Sequence, residues 1–106
     1  SFISLAKIVP AVATCLDDAG ELLAMVKPQF ELGKGRVRGG VVREPVERRE
    51  AIAAVARTAT DAGLVVRGFA PSGLPGPKGN RETFVRAATT GEPVRDVGAA
   101  IAEVEP

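Results

Sequence analysis

Apolar residues recur at helical spacing near the start of the chain: Leu5, Ile8, Val9, Val12 and Leu16 share one face. Pro10 lies on this stretch, so the helix starts near it or kinks there. Asp17-Asp18-Ala19-Gly20 closes the element with a glycine stop. Residues 21–27 (ELLAMVK) form a short apolar run bounded by Gly20 and Pro28, the pattern of a buried strand. Pro28 keeps Lys27 out of a helix and ends the strand. Residues 28–44 then read as a long loop rich in Gly and Arg. Pro45 suits the first position of a helix that runs to about residue 62, with Ile52, Val55, Ala56 and Ala59 on one side and Arg48, Arg49 and Glu50 polar. Gly63 stops it, and residues 64–69 (LVVRGF) read as a second strand. Residues 71–80, with three prolines and three glycines, read as a rigid loop. Residues 81–88 (RETFVRAA) alternate as a third strand. Gly91-Glu92-Pro93 opens a last helix carrying Val94, Val97, Ile101 and Val104 on one face.

The order is helix, strand, helix, strand, strand, helix. The first two strands are joined through a helix, which predicts a parallel α/β crossover. The third follows a loop and is expected to pair antiparallel with the second. The predicted fold is therefore α/β: two parallel strands plus an antiparallel hairpin strand, with flanking helices.

The 106 residues allow one domain, with enough chain for a real core. Fourteen Lys and Arg against 13 Asp and Glu leave a net charge of +1, so overall charge offers no argument for nucleic-acid binding. There is no histidine, which excludes Ser-His-Asp and Cys-His catalysis and His-containing zinc motifs. With four Phe and neither Trp nor Tyr, an aromatic stacking platform is lacking. One cysteine, Cys15, cannot form an internal disulfide; nothing points to secretion, and a cytoplasmic location is expected. No apolar run reaches the ~20 residues a membrane helix needs. The chain opens on Ser1-Phe2-Ile3, apolar and without an initiator Met, as expected of a fragment of something longer.

In open α/β sheets, ligands sit beyond the carboxyl ends of parallel strands. Lys27 ends the first strand there, and an antiparallel third strand begins at the same edge with Glu82 near the rim. The topology thus brings Lys27 and Glu82 together. A carboxylate holding a lysine ammonium can direct it at a substrate hydroxyl, to orient it, help deprotonate it or stabilise a developing alkoxide. A plain ion pair at the end of a sheet is the other reading of the same placement.

Lys34, Arg36, Arg38 and Arg43 lie in or beside a glycine-containing loop. Glycines let backbone approach phosphate closely and Arg binds phosphate bidentately, so a nucleic-acid strand crossing the rim fits, as does a solvated loop. Gly33-Lys34-Gly35 fails the dinucleotide fingerprint because position 38 is Arg, and Lys78 is followed by Gly, which rules out a P-loop. Cys15, Met25, Phe2, Phe69 and Phe84 are expected in the core. Phe30 faces either the core or a ligand.

Several strings come in a telling order: SFISL at 1–5, VKPQFE at 26–31, GGVVR at 39–43, LPGP at 74–77, then Gly79-Asn80 and Glu82. They resemble the TlyA family, haemolysin-A-like, FtsJ-type methyltransferases of ribosomal RNA ribose 2′-hydroxyls. The resemblance runs from Ser1 to about Val85; residues 86–106 carry little of it. It implies a Rossmann-like class I methyltransferase domain of which residues 1–106 are the C-terminal half. An S4-like RNA-binding domain and the glycine-rich cofactor loop would lie upstream. It implies S-adenosylmethionine as cofactor and ribosomal RNA or a ribosomal subunit as partner. Of the family's Lys-Asp-Lys-Glu catalytic set, Lys27 matches the second lysine and Glu82 the glutamate; the first lysine and the aspartate are not in this sequence. Ser1 and Phe2 would flank the methionine end of the cofactor, and the basic loop would meet RNA.

The chain departs from the family pattern at Thr83-Phe84, where an aromatic pair is common, and at Lys78 and Arg81, where residues are usually smaller or uncharged. Substrate contacts are affected more than the catalytic pair. Two further readings remain at this point: a non-catalytic RNA-binding or assembly module of the same fold, and a small-molecule methyltransferase. The isolated fragment is expected to be inactive.

Overall fold

A computed structural model describes residues 4–32, 37, 39–75 and 79–106. Helix α1 spans Leu5–Ala13, with the Ser4 hydroxyl accepting the Ala6 amide at its start. Pro10 lies inside it: the helix runs through a position that lacks the N–H for the Ala6 carbonyl. Cys15 and Leu16 therefore lie past the helix end. Cys15 is exposed, not buried as expected, because no helix face turns it inward. Gly20 owes its place to close packing: a Cβ there would lie 2.8 Å from the Leu16 Cβ.

Strand β1 (Glu21–Val26) follows. The expected long loop then begins with one helical turn, α2 (Pro28–Glu31), with the Phe30 amide on the Lys27 carbonyl at 2.9 Å. Proline suits a first helical position as well as a strand end. Helix α3 (Pro45–Asp61) starts at the expected proline and buries Ile52, Val55, Ala56 and Ala59 as expected, with Ala51 and Arg48 beside them. Strand β2 (Val65–Pro75) runs beyond the expected end at 69, through part of the expected loop. It is an edge strand, where a missing proline N–H is tolerated. Strand β3 (Arg81–Ala88) has the expected bounds. Helix α4 (Val97–Val104) starts later than expected: the Val94 amide donates to the Val66 carbonyl at 2.9 Å, which holds that stretch against β2, and Asp96 caps the helix through the Ala99 amide.

The protein is a small α/β domain with a three-stranded sheet in the order β1-β3-β2. β1 and β2 run in the same direction, as the crossover requires, yet they do not pair with each other; both ladders are antiparallel, because β3 lies between them. The expected β2–β3 pairing is present. A parallel ladder is not found among the described residues. A returning strand can add to either edge of its predecessor, and β3, buried along most of its length, takes the central place.

One face of the sheet carries the core. Val26, Val66, Val85 and Ala87 meet Ala51, Ile52, Val55, Ala56 and Ala59 of α3, Val9 of α1 and Ile101 of α4. Fully burying a side chain such as Ile52 contributes about 1.5–3 kcal/mol. Strand alternation sends Leu23, Met25 and Phe84 to the opposite face, where Leu23 is 63% exposed and Met25 and Phe84 are half-buried. Met25 and Phe84 thus sit outside the expected core, whereas Phe69 packs against it. Among the described residues no helix is long and apolar enough to cross a membrane.

Candidate functional site at the ends of β1 and β3

The β1–β3 ladder ends at the pair Val26 and Thr83. One residue further along each strand stand Lys27 and Glu82. In an antiparallel pair such positions face each other, with Cβ atoms about 5 Å apart. Lys27 keeps an extended backbone (φ −107, ψ 102) and is half-buried. Glu82 is only 9% exposed, and its Oε2 is buried without a hydrogen-bond partner. No ion pair joins the two side chains. The two residues stand one step beyond the last ladder pair, and the carboxylate keeps an acceptor that nothing among the described residues satisfies. Leaving such a group unmet costs about 1–3 kcal/mol.

The frame around this rim is built from residues to which the sequence alone assigned no structural role. Asn80, 1% exposed, accepts the Val42 amide on Oδ1 at 2.9 Å and donates from Nδ2 to the Gly40 carbonyl at 2.7 Å. It fastens the start of β3 to the end of the basic loop. Gly39 and Gly40, at φ 63 and 75, form the turn that presents these groups, a conformation that favours glycine. On the other side, Arg48 Nη1 donates to the carbonyls of Val42 (3.2 Å) and Arg43 (2.8 Å). Its Nη2 lies 2.9 Å from Glu105 Oε1. Glu31 Oε1 accepts the Leu5 amide at 2.8 Å, and its Oε2 accepts the Ser4 hydroxyl at 2.8 Å. The strings VKPQFE and SFISL, and GGVVR and Gly79-Asn80, are thus tied to each other by hydrogen bonds. The signal for Arg48 was its spacing: it lies four residues before Ile52, on the apolar face of α3.

Of the residues singled out for RNA, Arg43 is exposed beside this frame, while Lys34, Arg36 and Arg38 lie outside the described residues, as do Ser1 and Phe2. Among the described residues, no group of three or more His, Cys, Asp and Glu could hold a metal ion.

The sheet, its one-sided helices and the polar rim define a small α/β domain also found in larger proteins. A solved structure of a protein proposed to be a hemolysin, from Lactococcus lactis, superposes with a TM-score of 0.87 at 34% identity, covering 97% of this chain and 51% of that one. The 16S/23S rRNA (cytidine-2′-O)-methyltransferase TlyA of Mycobacterium tuberculosis is 48% identical over 86 residues, which is 80% of this chain and 32% of the relative. YqxC of Bacillus subtilis, a proposed rRNA methyltransferase, is 33% identical over 93 residues, or 87% of this chain and 33% of the relative. No protein-family model matches the chain. The chain belongs to the TlyA family. It spans about a third of the length of the curated relatives it matches.

Proposed function

We propose that this chain forms the C-terminal half of a Rossmann-like, S-adenosylmethionine-dependent methyltransferase domain that methylates a ribose 2′-hydroxyl of ribosomal RNA. The observation that carries this reading is that Lys27 and Glu82 stand one residue beyond the last pair of the β1–β3 ladder, Glu82 with a buried Oε2 that lacks a partner among the described residues. The names of the relatives as rRNA methyltransferases support the reaction class. An unmet acceptor beside a lysine fits a site completed by an incoming group. When bound, S-adenosylmethionine supplies an electrophilic methyl group. Ser1 and Phe2 would hold its methionine end.

Glu82 directs the Lys27 ammonium across the rim. Lys27 hydrogen-bonds the ribose oxygen, aligns its lone pair for in-line attack and stabilises the negative charge that develops there. The hydroxyl proton leaves to solvent. Arg43, with Lys34, Arg36 and Arg38, contacts the RNA phosphates. Such an enzyme acts in the cytoplasm, where ribosomes are.

The test measures methyl transfer from labelled S-adenosylmethionine to ribosomal RNA by three proteins: this chain, a longer protein that carries it with an upstream half, and that protein with Lys27→Ala. Transfer by the longer protein alone, abolished by Lys27→Ala, is expected. A longer protein that binds RNA and cofactor but transfers nothing would leave an RNA-binding module. Transfer to a small molecule and not to RNA would move the substrate class.

A further inference from the structure

Two side chains hydrogen-bond the backbone of residues 40–43. Asn80 takes the Gly40 carbonyl and the Val42 amide, and Arg48 takes the Val42 and Arg43 carbonyls. Arg48 is buried on the apolar face of α3, where a lone guanidinium would be costly. Its counter-charge is Glu105, 1% exposed at the end of α4. Glu105 is itself fixed from other directions: Arg49 Nη1 donates to its carbonyl at 3.1 Å, and Arg81 Nη1 lies 3.7 Å from its Oε1. Arg81 immediately precedes Glu82. One carboxylate just past α4 therefore reaches the loop end through Arg48 and the start of β3 through Arg81.

We infer that Arg48 and Glu105 are positioning residues for RNA binding: the pair fixes the 40–43 backbone so that Arg43 meets the RNA phosphates already ordered. This rests on the reading of Arg43 as an RNA contact. It assigns a role to Glu105, beyond the strings that carry the resemblance in the sequence. A pre-ordered segment binds with less loss of conformational freedom. Loosening it weakens RNA binding.

Two variants in the longer protein separate this from a stability role. Arg48→Lys keeps a cation but lacks the planar fork that reaches the two carbonyls through Nη1 and Glu105 through Nη2 at once. Glu105→Gln keeps the shape and removes the counter-charge. The measurements are Kd for ribosomal RNA, hydrogen exchange of the Val42 amide, and kcat and KM for RNA on the folded fraction. For Arg48→Lys, Kd and KM are expected to rise about tenfold with kcat retained, and Val42 exchange to quicken. Glu105→Gln should move Kd in the same direction. Unchanged Kd for both variants, or affinity lost only in proportion to unfolded protein, overturns the inference; so does a parent protein that binds no RNA. Methyl transfer absent throughout, with Kd still dependent on Arg48, would sink the proposed reaction and leave this role standing.

Discussion

Glu31 closes the start of helix α1 from 26 residues away: its Oε1 accepts the Leu5 amide at 2.8 Å. Its other oxygen takes the Ser4 hydroxyl, which in turn caps Ala6. A carboxylate at a helix N-terminus also meets the positive end of the helix dipole. This contact joins the segment after Lys27 to the segment around Ser4.

Replacing that carboxylate leaves an orphan amide and hydroxyl. Glu31→Ala should lower stability by about 1–2 kcal/mol, read as an earlier urea midpoint at unchanged slope. An unchanged midpoint would mean the contact contributes nothing net.

Lys27 reaches the reacting oxygen in the proposed reaction and caps no helix with its side chain. Lys27→Ala in the longer protein should lower kcat at least about a hundredfold, with RNA affinity within twofold. Retained turnover would remove Lys27 from the chemistry.

Glu82 combines burial with an unmet oxygen, a combination that favours function over stability. Glu82→Gln should be as stable as the parent or up to about 1 kcal/mol more so, while methyl transfer falls about tenfold. A marked loss of stability would show that the carboxylate is structural.

Asn80 satisfies one amide and one carbonyl from a fully buried position. Asn80→Ala should cost about 2–3 kcal/mol and expose the 39–43 segment to proteolysis. An intact segment under limited digestion would show that Asn80 does not hold it.

The sequence made the long elements legible. The bounds of β3 and the apolar face of α3 followed from spacing, and the positions of Lys27 and Glu82 followed from strand direction. Strand order did not follow, because pairing on either edge of β2 satisfies the same alternation. The extension of β2 through Pro71 depended on its being an edge, which is a tertiary fact. Asn80, Glu31, Arg48 and Glu105 were given no structural role because Asn80, Glu31 and Glu105 act on partners far along the chain, as Arg48 does on Glu105. Arg48 alone left a trace, a charge on an otherwise apolar helix face.

The central place of β3 has a consequence for folding kinetics. β1 precedes its only described sheet partner, β3, with α3 and β2 between them. Contacts so far apart in sequence carry a large loop-closure cost. The β2–β3 hairpin is then the cheaper nucleus, and β1 docks afterwards. Truncating Val66 or Val85 should slow folding, whereas truncating Ala24 should chiefly speed unfolding; the reverse partition in a chevron analysis would place β1 in the nucleus. During synthesis, β1 would wait for β3 while α3 and β2 are made.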